Sequence, residues 1–160
     1  MYKSRDLIEM VVVNKNNKSK GKVKEIFFDI NEKKIIGFEI GSMCIWRKNN
    51  FVKPSDIISI TNKIQVSKFT SFKEKEDNLV LNHEVYNGDG ILLGNISEVL
   101  IEEKKFQIVA FVVTPGIIEK FVSGKKILLA SHVCKKGDYI IYNNKSSVKF
   151  ISMVHEERRL

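Results

Sequence analysis

Residues 94–113, GNISEVLIEEKKFQIVAFVV, restate residues 21–40, GKVKEIFFDINEKKIIGFEI, at a shift of 73 and without a gap over twenty residues. Upstream, the same shift pairs Val12 with Val85 and Asn14 with Asn87. Inside the block Val23 meets Ile96, Ile26 meets Val99, Phe28 meets Ile101, Ile35 meets Ile108 and Phe38 meets Phe111. Downstream the shift becomes 76, so the second copy carries three more residues, placed within TPGIIEKFVSGKK. Beyond them PSDI (54–57) falls on ASHV (130–133), and NKIQV (62–66) falls on DYIIY (138–142). Apolar positions match apolar positions and turns match turns. A tandem duplication fixes the architecture as one small unit written twice.

Each copy reads as strands. IFFDI and IIGFEI are short, β-branched and aromatic, with NEKK between them as a hairpin turn. In the second copy VLIEE and QIVAFVV repeat the layout, and NGDG at 87–90 is a turn signal. Apolar residues at 23, 26 and 28 break strict alternation, which predicts a bulge there. The segments at Pro54 and Ala130 each predict a single helical turn between strands. Several short strands in about 65 residues point to a small closed or nearly closed barrel, which leaves no exposed edges. The expected fold is therefore all-β, two small barrels in tandem. Residues 1–67 form the first repeat, 68–78 a polar linker anchored by Phe69 and Phe72, and 79–145 the second repeat. The tail 146–160 forms a short helix after Ser152, docked by Phe150, Ile151 and Val154. A unit of this size is marginal alone, so the two copies are expected to pack together.

GDGILLGNISEVLI, followed by a hairpin into IVAFVV and then an A/P-S-x-[IV] turn, resembles the PRC-barrel family. That family is named for the cytoplasmic domain of the photosynthetic reaction-centre H subunit. A similar domain ends a ribosome-maturation factor, and stand-alone bacterial versions exist, including in spore formers. The likeness covers residues ~8–66 and ~81–142. The first copy departs from the pattern, with NNKSKG (16–21) where the second has DGILLG (89–94), and Met10 and His83 stand where the family has Gly. The two copies therefore serve different surfaces. The resemblance implies a non-catalytic binding or assembly module, with no catalytic residues to carry over.

The residues agree with that implication. No G-x-S-x-G elbow, P-loop or dinucleotide fingerprint occurs. Glu102 and Glu103 are adjacent, so a strand would send them to opposite faces, and they form no catalytic pair. His132 and Cys134 share a strand face, but a metal site needs three or four ligands, and a packed thiol beside a satisfied histidine is the reading preferred here. We expect no enzyme, no metal and no cofactor. With only Cys44 and Cys134 a disulfide framework is disfavoured, and the cytoplasm is the expected compartment. No apolar run approaches the ~20 residues of a transmembrane helix.

Charge is unevenly placed. Of the formal +8, residues 1–72 hold 14 Lys and Arg against 7 Asp and Glu, and residues 73–160 hold 13 against 12. NKNNKSKGKVK (14–24) concentrates Lys15, Lys18, Lys20, Lys22 and Lys24 without an acid, and the second copy has Gly88, Ile91, Leu93, Asn95 and Ser97 there. Two readings stand: a solvated hairpin loop, or a patch for a phosphate-rich partner or an anionic membrane surface. Lys18, Lys20, Lys22 and Lys24 share a parity and align if the strand is regular, with Lys15 on the turn. A nucleic-acid platform would add exposed aromatics, of which Phe27 is best placed. A second candidate is apolar: Ile117, Ile118 and Phe121 in the insertion, with Trp46 and Arg47 in the corresponding part of the first copy. These residues are read either as packing between barrels or as a lip for a protein partner. The leading expectation is a protein-interaction adaptor, and the alternative an RNA- or ribosome-associated factor. Homo-oligomerisation is left open.

Overall fold

Both copies build the same six strands in the same order. The structure is a computed structural model, and it describes residues 1–41, 50–71, 79–115 and 124–143. The first copy contributes β1 (Tyr2–Lys3), a one-turn α1 (Ser4–Leu7), β2 (Val11–Asn14), β3 (Ser19–Asp29), β4 (Lys34–Gly41), β5 (Phe51–Val52), β6 (Ile57–Ile60) and β7 (Ile64–Val66). The second contributes β8 (Glu84–Asn87), β9 (Leu92–Ile101), β10 (Ile108–Thr114), β11 (Lys126–Leu129), β12 (Val133–Lys136) and β13 (Tyr139–Tyr142). The first sheet runs β5-β4-β3-β2-β7-β6 and the second β11-β10-β9-β8-β13-β12, with β1 added to β9.

Each sheet curls into a nearly closed barrel for a simple reason. Its two end strands, β5 and β6 or β11 and β12, are joined by a single 3-10 turn, Pro54–Asp56 in one copy and Ala130–His132 in the other. Ends that near in sequence cannot lie at opposite edges of an open sheet. The two helical turns expected at Pro54 and Ala130 are these closures. The long hairpins bend at bulges repeated position by position: Lys24 and Ser97, Ile36 and Val109, and Lys20 and Leu93 are the extra residues in their pairings. A bulge increases local twist, which lets a short sheet wrap around a core. The bulge expected among residues 23–28 is the one at Lys24.

Turn chemistry repeats as well. The side-chain oxygen of Asn14 accepts the Asn16 and Lys18 amides, and that of Asn87 accepts the Asp89 and Ile91 amides. Asn17 and Gly90 supply the positive φ that such a turn requires. Inside, Phe28, Phe38, Ile26 and Val23 of the first copy and their partners Ile101, Phe111, Val99 and Ile96 are almost fully buried.

The copies pack about a local two-fold relation. The Ile35 amide donates to the Phe106 carbonyl (3.0 Å), and the Ile108 amide donates to the Lys33 carbonyl (2.8 Å). Each bond is the image of the other under the shift of 73, which is the signature of an isologous contact. The Phe106 ring meets Phe38 edge-on at 6.4 Å. Its counterpart Lys33 instead donates its ammonium to the carbonyls of Ile30 (2.6 Å) and Val133. The N-terminal segment also crosses over. β1 pairs antiparallel with β9, Tyr2 facing Ile101, and the buried Ser4 hydroxyl accepts the Val99 amide at 2.9 Å. Arg5 Nε lies 2.9 Å from the buried Glu98 carboxylate as a charge contact without hydrogen-bond alignment. Phe69 packs against the core as a linker anchor, whereas Phe72, the 116–123 part of the insertion and the expected helical tail lie outside the described residues.

Candidate functional site

The Lys-rich segment does form the loop and opening of a hairpin, from the end of β2 into β3. Its lysines do not align. The bulges at Lys20 and Lys24 reverse the alternation twice, so the regular strand that would have put four of them on one side is absent. Two are also paired, Lys22 with Glu9 at 3.2 Å and Lys24 with Glu39 at 3.5 Å. Lys15, Lys18 and Lys20 have no ion pair among the described residues. The Lys15 carbonyl accepts a bond from Gln65 Nε2 (3.3 Å), which draws the loop against β7 (Ile64–Val66), the strand that Lys63 immediately precedes. Lys63, like Lys15, Lys18 and Lys20, has no ion pair among the described residues.

Phe27 does not join these lysines as an exposed aromatic. It is 8% exposed and its ring packs on Phe51 at 5.8 Å. The expectation of an exposed Phe27 rested on strand parity, and a strand edge covered by another aromatic overrides it. Trp46, Arg47, Ile117, Ile118 and Phe121 lie outside the described residues.

The matching surface of the second barrel is apolar. Register places Leu92, Tyr86, Ile141 and Cys134 in one row across β9, β8, β13 and β12. Val85 and Ile140 point the other way, into the core. Tyr139 stacks edge-on against Tyr86 at 5.8 Å and is 62% exposed, as is Ile91 at the adjoining turn, with Leu92 at 44%. In the first copy the same row reads Ser19, Val13, Gln65 and Ser59. Lys18 stands for Ile91 and Lys63 for Tyr139. At four equivalent surface positions one barrel has Lys, Ser, Lys and Gln where the other has Ile, Leu, Tyr and Ile. The row is not visible in sequence because only the strand register sets Leu92, Tyr86 and Ile141 side by side. The substitution of Ile91 for Lys18 was the signal of it that the sequence carries.

The polar groups of this row and its neighbours are engaged in local contacts. Tyr86 donates to Glu84, and this contact is the main reason its phenol pKa is raised. Cys134 accepts a bond from Asn143 Nδ2 (3.5 Å), and exposed His132 packs against Tyr142. No group of three or more metal-ligating side chains occurs among the described residues. Glu102 caps a turn, its carboxylate accepting the Lys104 and Lys105 amides, and those bonds hold its pKa low. Among the described residues no helix is long and apolar enough to cross a membrane.

Two tandem small β-barrels with diverged surfaces and a shared core define a duplicated barrel module. The model of the PRC-barrel domain family matches residues 1–71 and again 72–147, so the chain belongs to the PRC-barrel family. The family's domain is a non-catalytic β-barrel often engaged in protein interactions. No curated protein matches the chain.

Proposed function

We propose that this chain is a cytoplasmic, non-enzymatic adaptor whose second barrel docks a protein partner through Leu92, Tyr86, Ile141, Tyr139 and Ile91. The observation that supports this reading is the divergence of one face between two otherwise equivalent barrels. A structural need would act on both copies, whereas here one face keeps polar residues and the other replaces them with an exposed aromatic pair and aliphatic side chains. Tyr and clustered aliphatics are the groups that anchor protein interfaces. The test grafts the first copy's residues onto the second: Ile91→Lys, Leu92→Ser, Tyr139→Lys and Ile141→Gln. Cross-linked capture from the native host should lose its partner with the graft and keep it with Lys18→Gln and Lys20→Gln. Equal capture by wild type and graft would overturn the reading. A wild-type dimer that the graft dissolves would make the partner a second copy.

A second reading is supported by Lys15, Lys18, Lys20 and Lys63, which are without carboxylate partners among the described residues. It is an RNA contact that neutralises roughly three phosphates, since Lys22 and Lys24 are already paired. Log K should then fall with log[salt] at a slope of about −2, from ~0.7 per phosphate for a single strand. Polarisation with generic single-stranded RNA checks it. No binding at low salt would dismiss it.

A further inference from the structure

The duplication extends past the matched barrels. KFTSF at 68–72 recurs as KFISM at 149–153, with Lys, Phe and Ser identical and an apolar residue closing both. In the first copy this stretch has a defined task. The Phe51 amide donates to the Thr70 carbonyl (3.0 Å) and the Thr70 amide donates back to Phe51 (2.8 Å), so the segment seals the outer edge of β5. Phe69 packs against the core beside it.

The second barrel has the same edge without a cover among the described residues. Glu39 faces Phe51 across β4 and β5 as Val112 faces Ile127 across β10 and β11, so Ile127 is the counterpart of Phe51. The outer side of β11 pairs with no described strand. Phe51 is 2% exposed and its neighbour Phe27 8%, whereas Ile127 and Leu100 in their places are half-exposed and Leu129 is 49% exposed. An open strand edge flanked by exposed apolar side chains is a template for another strand.

We propose that residues 149–153 of this chain seat on the outer edge of β11, Ile151 pairing with Ile127 and Phe150 covering Ile127 and Leu100. The two chains leave their barrels at equivalent points: Ser67 donates to the Asp56 carbonyl and Asn143 to the His132 carbonyl, both at 2.8 Å. Ile151 lies eight residues beyond Asn143, a reach of up to about 26 Å, and the five residues of slack relative to the first copy add little closure entropy. The proposal is independent of the adaptor face, which lies on β8, β9 and β13. It makes the tail the piece that completes the second barrel and closes its edge to other chains.

Amide hydrogen exchange on the full chain tests it. The Ile127 amide should exchange at least about tenfold more slowly than an unprotected amide. Ile151→Pro, which removes the pairing N–H, and Phe150→Asp should each return it to within about twofold of the unprotected rate. The Val113 and Phe111 amides report that the barrel stays folded in both variants. Thr70→Pro is the control, and should release the Phe51 amide in the same way. Free exchange at Ile127 in the wild type, or protection that neither variant disturbs, overturns the proposal. Protection that vanishes on dilution would put the tail of a second copy on the edge and overturn it equally.

Discussion

At the scale of single residues, the two copies repeat a steric demand as well as a pattern. Gly21 and Gly94 sit at φ +141° and +132°, and a Cβ there would lie 2.0 Å from the Gly41 carbonyl oxygen or 2.3 Å from that of Thr114. Both the backbone conformation and the contact with rigid main chain exclude a side chain. Gly94→Ala should therefore cost about 2 kcal/mol or more, read as a lowered urea midpoint. A variant as stable as wild type would mean that β9 and β10 are not so closely apposed. Lys33 makes the opposite point, since its counterpart Phe106 shows that the site accepts an apolar group. Burial pushes the Lys33 pKa below the usual 10.5, with Cys134 and Asp29 pulling the other way. Between the lowered value and 10.5 the unfolded chain still holds a proton that the native one has lost, so stability rises with pH through that window. Below the window this contribution is constant and at its least favourable. Against Lys33→Met, wild type should gain relative stability as pH climbs towards about 10.5. Urea midpoints that run parallel for the two proteins would show that the ammonium is not desolvated at the contact.

At the scale of elements, the segment that matters most is the shortest. β1 and α1 belong to the first copy by sequence and complete the second barrel in space, laid along β9. Ser4→Ala removes the acceptor of the buried Val99 amide, and should cost about 1–2 kcal/mol. The check is faster exchange of the Val99 amide with no change at Ile26, its counterpart in the first barrel; if both speed up together, the loss is general. Much else at this scale was legible beforehand. The 3-10 turns, the NEKK and NGDG turns and the bulge at Lys24 all follow from local residue chemistry and from comparing the copies. The crossing of β1 was not, because nothing in YKSRDL distinguishes an edge in one barrel from an edge in the other. The ion pairs of Lys22 and Lys24 were hidden for the same reason. Glu9 and Glu39 come within reach only once strand register is set. Phe27 was misjudged because alternation counts faces and does not see Phe51 arriving to cover one.

At the scale of the whole molecule, the duplication produces one contiguous core among the described residues. The buried residues of both barrels form a single contiguous cluster, joined where Phe106 meets Phe38 and where Leu7 of the first copy is fully buried. A barrel of about 65 residues buries too little surface to be robust by itself, and here each one lends the other a segment or a side chain. Phe38 and Phe111 are equivalent by the repeat, at 1% and 0% exposure, one in each barrel. Truncating either to Ala should cost about 3–5 kcal/mol through lost transfer energy and the cavity left behind. If the two barrels unfold as one, Phe38→Ala and Phe111→Ala should each lower the same single transition, followed alike by tyrosine fluorescence, which is weighted to the second barrel, and by far-ultraviolet circular dichroism. Independent barrels would give a different outcome: two transitions, with each variant moving only its own and leaving the other in place. That result would remove the shared core as the reason for the duplication. A single transition would explain why both copies keep their core residues while their outer faces diverge. The core is under one common constraint, and each face answers only to what it meets.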